Sequence, residues 1–214
     1  GDLNLTGTGV TGLMRDDGTQ DAFTGVLNGG NHTLTLKIGE VYGVKVNEEK
    51  CGSEDVGCGQ IYNHSYIGLF AKTGNLTIEN LTVSGSVQYG LSTQQEIWAG
   101  GVTAFQETGT AFWQNAASEI DVSFTGKVVD AAKETLQAAH VGGFVGAVSS
   151  VHALTFTGCK WTGSITDSAT IASDCYLGGY IGSMSPDGGS ITLEQSFIGN
   201  GTDKKASIIV EQPG

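Results

Sequence analysis

The sequence predicts an all-β chain coiled into a stack of parallel strands, a β-helix, and three observations carry that expectation. Glycine supplies 34 of the 214 residues and proline only two, with glycine spread along the chain among Thr, Val and Ile. Each glycine in a helix interior costs ~1 kcal/mol relative to alanine, and the absence of a G-X-Y period excludes collagen. Second, four short segments resemble one another: Ile67-Gly68-Leu69-Phe70-Ala71, Gly100-Gly101-Val102-Thr103-Ala104, Gly142-Gly143-Phe144-Val145-Gly146 and Gly178-Gly179-Tyr180-Ile181-Gly182. Third, three of them are followed by one apolar pattern at constant spacing, seen in Leu76-x-Ile78-x-x-Leu81-x-Val83, Leu154-x-Phe156-x-x-Cys159-x-Trp161 and Ile191-x-Leu193-x-x-Ser196-x-Ile198. Self-similarity at such a period is the mark of a stacked repeat.

Period-two alternation puts Leu76 and Ile78 on one strand face, and the three-residue step to Leu81 resets the phase, which requires a corner. Strand, corner and strand, recurring every 33 to 42 residues, describe a coil in which equivalent residues form columns. About five or six rungs are expected in a single domain over 1–214. An entry rung occupies about 20–42. Loop excursions follow at about 43–64, 88–117 and 130–140, the last around a short helix, Ala131–Ala139. The second unit reads as looser, with Ile120, Val122, Phe124, Gly126 and Val128 alternating without the phase step. One column is then Leu81, Val122, Cys159 and Ser196. Phe70, Leu76, Ile78, Leu81, Val83, Val145, Leu154, Phe156, Trp161, Ile181, Ile191, Leu193 and Ile198 are expected to face inward. An antiparallel β-sandwich is the structural alternative, and it calls for hairpin signals between strand pairs. Asp17-Gly18, Asp187-Gly188 and Asn200-Gly201 do not punctuate every pair.

Gly142-Gly143-Phe144-Val145-Gly146 with Leu154-Thr155-Phe156-Thr157-Gly158-Cys159-Lys160-Trp161-Thr162-Gly163-Ser164-Ile165 resembles a GLUG-type repeat, and 22–34 resembles the entry rung that precedes such arrays. The resemblance covers roughly 20–210. It implies a pectin-lyase-like right-handed β-helix and a fragment of a longer bacterial cell-surface protein, secreted or surface-associated. The pattern departs at Thr103-Ala104 and in the 88–117 stretch. Such motifs specify a fold better than a function.

Ten Lys and Arg stand against 22 Asp and Glu, a net charge of -12, with Arg15 the only arginine. Nucleic acid is therefore a poor partner, since phosphate neutralisation needs a basic stripe. No apolar run approaches the ~18 residues of a membrane span, so no membrane insertion is expected of this fragment, and a monomer is. An acidic exterior suits solubility.

A β-helix invites polysaccharide cleavage, and a lyase or glycoside hydrolase is the alternative function. That reading needs convergent carboxylates. Asp16, Asp17 and Asp21 beside Arg15 are the only such cluster, a weak metal candidate that lacks the spacing of a calcium loop. Cys51 and Cys58 lie in a polar stretch that a disulfide would tie. A zinc set of Cys51, Cys58 and His64 is the sharper idea, but Cys-x6-Cys is not a finger spacing. Cys159 and Cys175 read as small core residues, with a bond between them left open. His32, His64, His140 and His152 share no spacing. No cofactor is implied. Trp98, Phe112 and Trp113 fall in the 88–117 stretch, where exposed rings would stack on sugars; Trp98 and Trp113 are the ligand-binding candidates, against simple packing of that stretch on the coil. Asn4, Asn31, Asn63, Asn75, Asn80 and Asn200 each begin Asn-x-Ser/Thr. These are glycan acceptors in a eukaryotic secreted chain and corner asparagines in a bacterial one. The expected function is a non-catalytic extracellular surface module, adhesin-like or a spacer, with glycans or host surface proteins as partners.

Overall fold

Short alternating runs between glycine corners leave the backbone polar groups only one outlet, pairing with the equivalent run of the next repeat. The computed structural model shows this pairing throughout, and it describes residues 1–7, 22–41, 63–91, 95–126, 139–149, 153–167, 175–185, 189–199 and 206–210. The described residues contain strands and no helix. In chain order they form β1 (Leu3–Gly7) and β2 (Phe23–Val41), then β3 (Asn63–Ile67) with β4 (Phe70–Leu91). The next tier holds β5 (Gln95–Gly100), β6 (Thr103–Gln106), β7 (Thr110–Gln114) and β8 (Ala117–Gly126). A further tier holds β9 (Ala139–Gly142), β10 (Val145–Val148), β11 (Ala153–Thr157), β12 (Lys160–Trp161) and β13 (Ser164–Asp167). The last holds β14 (Cys175–Gly178), β15 (Ile181–Met184), β16 (Ser190–Glu194), β17 (Phe197–Ile198) and β18 (Ser207–Val210).

Every pairing among these strands is parallel and joins one tier to the next. Leu76 lies beside Ala111, Ala111 beside Leu154, and Leu154 beside Ile191. The strands make one 14-stranded parallel sheet, curled into a half-barrel, and a separate four-stranded sheet in the order β14-β9-β5-β3. None of the described pairs is antiparallel, contrary to the sandwich alternative.

The core fills the curl. Leu76, Ile78, Val83, Val145, Leu154, Phe156 and Trp161 are each at most 2% exposed, and Leu81 is also buried. Trp113 stacks on Phe156 at 5.6 Å, and Phe144 meets both edge-on. Tyr180 stacks on Phe144 at 5.0 Å and donates its hydroxyl toward the Cys159 and Phe197 carbonyls. Two corner devices make these columns possible. At the first, Asn80, Asn115, Gly158 and Gln195 all adopt positive φ, between 49° and 65°. Each occupies the position just before the residue that resets the phase. At the second, a Cβ on Gly143 would collide with the Gly179 carbonyl and the Trp161 indole, and one on Gly101 would collide with the Gly143 carbonyl. Stacked double glycines therefore let successive tiers approach.

Several sequence expectations change. The β5–β8 tier is regular: Ala111-x-Trp113-x-x-Ala116-x-Ser118-x-Ile120 carries the full pattern, with Ala111, Trp113, Ala116, Ser118 and Ile120 all buried. The phase step is thus present. Val122 leaves the Leu81 column and joins Val87 and Ile165 instead. Ile191, Leu193 and Ile198 keep the inward register of Leu154, Phe156 and Trp161, yet they are 40%, 52% and 64% exposed. Their other side meets no further described tier. Phe70 and Ile181 are only partly buried. Ala139, expected to close a helix, opens β9; residues 127–138 lie outside the described residues. The 43–62 part of the first excursion lies outside them too.

Candidate functional site

On the four-stranded sheet, side chains alternate between the core and the outside. Ala99 and Val141 point inward and are at most 1% exposed. The positions before them, Tyr66, Trp98, His140 and Tyr176, stand in register across the four strands. Each begins an aromatic-aliphatic-glycine triplet: Tyr66-Ile67-Gly68, Trp98-Ala99-Gly100, His140-Val141-Gly142 and Tyr176-Leu177-Gly178. A parallel ladder repeats such a position once per tier, so a triplet in sequence becomes a row in space.

The described rings of this row pack against the row beside it. Trp98 lies face to face with Phe105 of β6, at 4.7 Å and 16°. His140 stacks on Tyr176 at 4.9 Å and 8°, and its Nδ1 is hydrogen-bonded to the hydroxyl of Ser183 on β15. Phe105, Ala147 and Ser183 are themselves in register. Trp98 and His140 are half-buried, while Tyr176 is 43% exposed. The arrangement offers aromatic edges, the open side of the Tyr176 ring and a hydroxyl-imidazole pair along one lateral strip. Stacking on flat apolar rings and hydrogen bonding to hydroxyls are within its reach.

Trp113 belongs elsewhere. It is 1% exposed in the core and offers no ring face to a ligand, which corrects its place among the binding candidates. Phe112, its neighbour on β7, points outward and is 52% exposed. Burial beneath Phe156 and Phe144 follows from the unrecognised repeat in 111–120, where alanines replace leucines.

The remaining predicted residues divide in two. Asp16, Asp17, Asp21, Cys51 and Cys58 lie outside the described residues, as does the side chain of His64. Cys159 and Cys175 are both free thiols. Cys159 is buried, and burial pushes its thiol up. Cys175 donates toward Asp167 Oδ2 at 3.5 Å, and burial, then the neighbouring carboxylate, pushes its thiol up to about 12. Among the described residues no group of three His, Cys, Asp or Glu comes together as a metal site.

Several of the described carboxylates are engaged locally. Glu107 pairs with Lys72 at 2.8 Å, Asp121 accepts from the Ser164 amide and hydroxyl, and Glu79 accepts from Asn28. Asp2 accepts from the Thr33 amide, which with His32 nearby holds its carboxyl below the usual range. At the corners, Asn115 donates to Asn80 at 3.3 Å and Asn80 reaches toward Asn28 at 3.5 Å. Asn80 is thus tied into a side-chain ladder, as a corner asparagine would be. No helix among the described residues is long and apolar enough to cross a membrane. Comparison with protein-family models, curated proteins and solved structures returns no match.

Proposed function

We propose that this chain is a non-catalytic extracellular display module, a GLUG-type right-handed β-helix whose tiers are its turns and whose four-stranded face meets a ligand. The row Trp98–His140–Tyr176 carries this reading, because it places an aromatic group outward at the same height in successive tiers. Aromatic residues so presented recognise sugars and protein surfaces by ring contact, with the His140–Ser183 pair supplying polar anchoring. The core supports the role by holding that face from beneath, through the buried Ala99 and Val141. The acidic balance, -12 overall, disfavours anionic partners. On this reading a disulfide between Cys51 and Cys58 is expected, and peptide mapping without reduction should find them as one linked pair.

A glycan and host-matrix protein array tests the binding role. Trp98→Ala and Tyr176→Ala should each remove specific signal, while Phe112→Ala should retain it. A blank array from folded protein favours a spacer instead. Turnover of acidic or neutral polysaccharides, lost on Asp16→Ala or Asp17→Ala, would favour the lyase or hydrolase reading and defeat the proposal.

A further inference from the structure

Among the described residues, most of the large apolar side chains left exposed lie on one tier. Ile191, Leu193, Phe197, Ile198, Ile208, Ile209 and Val210, all on β16–β18, are 40% to 64% exposed. Directly beside Ile191, Leu193, Ile198 and Ile208 in register, Leu154, Phe156, Trp161 and Ile165 are at most 2% exposed. The difference is not in residue type or orientation. It is that, among the described residues, the inner tier has a parallel neighbour on both sides and the last tier has one.

The last tier also reproduces the corner that supports stacking. Gln195 takes the positive φ of Asn80, Asn115 and Gly158. Ser196 accepts from the Cys159 amide and donates toward the Phe156 carbonyl, so the corner is fastened to the tier beside it. Its free edge therefore has the geometry that β11–β12 presents to β16–β17.

We propose that the open edge of β16–β18 is an acceptor for a further parallel segment of this repeat's own chemistry. That occupant is an extended strand with two apolar residues two apart, a small residue three further on, and another apolar residue two beyond. The argument for it is continuity: each described interface between tiers is parallel, those of β7 with β11 and β11 with β16 keep one unbroken register over an apolar inside, and a strand of this pattern extends the same interface by one layer. Addition of a strand supplies both the backbone partners of an open edge and cover for its apolar face. Parallel register is specified because a slip by one residue would turn the apolar set outward. The inference is independent of whether the lateral aromatic face binds a ligand.

The test uses the whole chain and a fluorescent peptide of sequence 153–163 carrying Cys159→Ser, followed by anisotropy. A control peptide has the same composition with its apolar and polar positions exchanged. Saturable binding of the first peptide is expected. It should weaken at least tenfold with Leu193→Lys or Ile198→Lys and stay unchanged with Phe112→Lys on the outer side of β7. These side chains are more than half exposed, so circular dichroism should report an unchanged fold for all three variants. Absence of binding, equal binding of the control peptide, or binding indifferent to Leu193→Lys and Ile198→Lys overturns the proposal. Sedimentation provides a further arm: self-association lost in Leu193→Lys, with no peptide binding, would make the occupant a second copy and equally overturn it.

Discussion

Asn115 sits at a corner with φ 51°, where an L side chain without a local hydrogen bond is strained. Asn115→Ala should therefore cost ~1 kcal/mol, and Asn115→Gly little, when both are measured by denaturant unfolding. Gly143 makes the opposite demand, for space rather than backbone freedom. Gly143→Ala drives a methyl group into the Gly179 carbonyl and Trp161, with an expected loss of about 2 kcal/mol or more. Tyr180 gives the residue scale a pH dependence. Burial pushes its phenol up to about 12, against about 10 in the unfolded chain. The unfolded phenol then releases its proton first, so the stabilisation is intact below about pH 10 and lost as pH rises toward about 12. Subtracting the unfolding free energy of Tyr180→Phe from that of the parent should expose this decline, and a difference that is flat across the window would contradict it.

A strand contributes according to what covers it, not only to what it contains. Leu154 and Leu193 both belong to the repeated pattern, yet the first is fully buried and the second 52% exposed. Leu154→Ala should cost about 2–5 kcal/mol and Leu193→Ala less than about 1 kcal/mol in denaturant titrations. Equal costs would mean that the last tier is covered after all. The same distinction explains how much was legible in the sequence. The apolar spacing and double glycines reveal parallel tiers, because an identical pattern at a long period has few other physical solutions. Exposure of Ile191 and Ile198 was not legible, since a pattern records which face a residue takes and not whether a neighbour lies beyond it. The β7–β8 repeat was hidden for another reason. Ala111, Ala116 and Ser118 are small, while Trp113 and Trp161 from their own and the next tier occupy the volume, so size is balanced within columns rather than within each strand. The aromatic row was harder to see: Tyr66, Trp98, His140 and Tyr176 open a triplet whose ring and aliphatic residue both vary, and the register turns that triplet into a row.

At the scale of the whole molecule, nearly every stabilising pairing links residues distant in sequence, such as Leu34 with Val83 or Ile165 with Ile208. Closure of long loops must precede those contacts, so refolding should be slow, in the range of milliseconds to seconds or longer by stopped-flow fluorescence of the buried tryptophans. The lateral row and the open edge both depend on one central claim, that successive tiers stack in parallel with Leu76, Ala111, Leu154 and Ile191 in a single column. Interstrand nuclear Overhauser contacts measured on isotope-labelled protein test that claim most directly. The account predicts backbone contacts linking Leu76 to Ala111, Ala111 to Leu154 and Leu154 to Ile191, without the close Hα–Hα pairs of antiparallel strands. Strong Hα–Hα contacts between these strands, or a register in which Leu154 lies beside neither Ala111 nor Ile191, would contradict it.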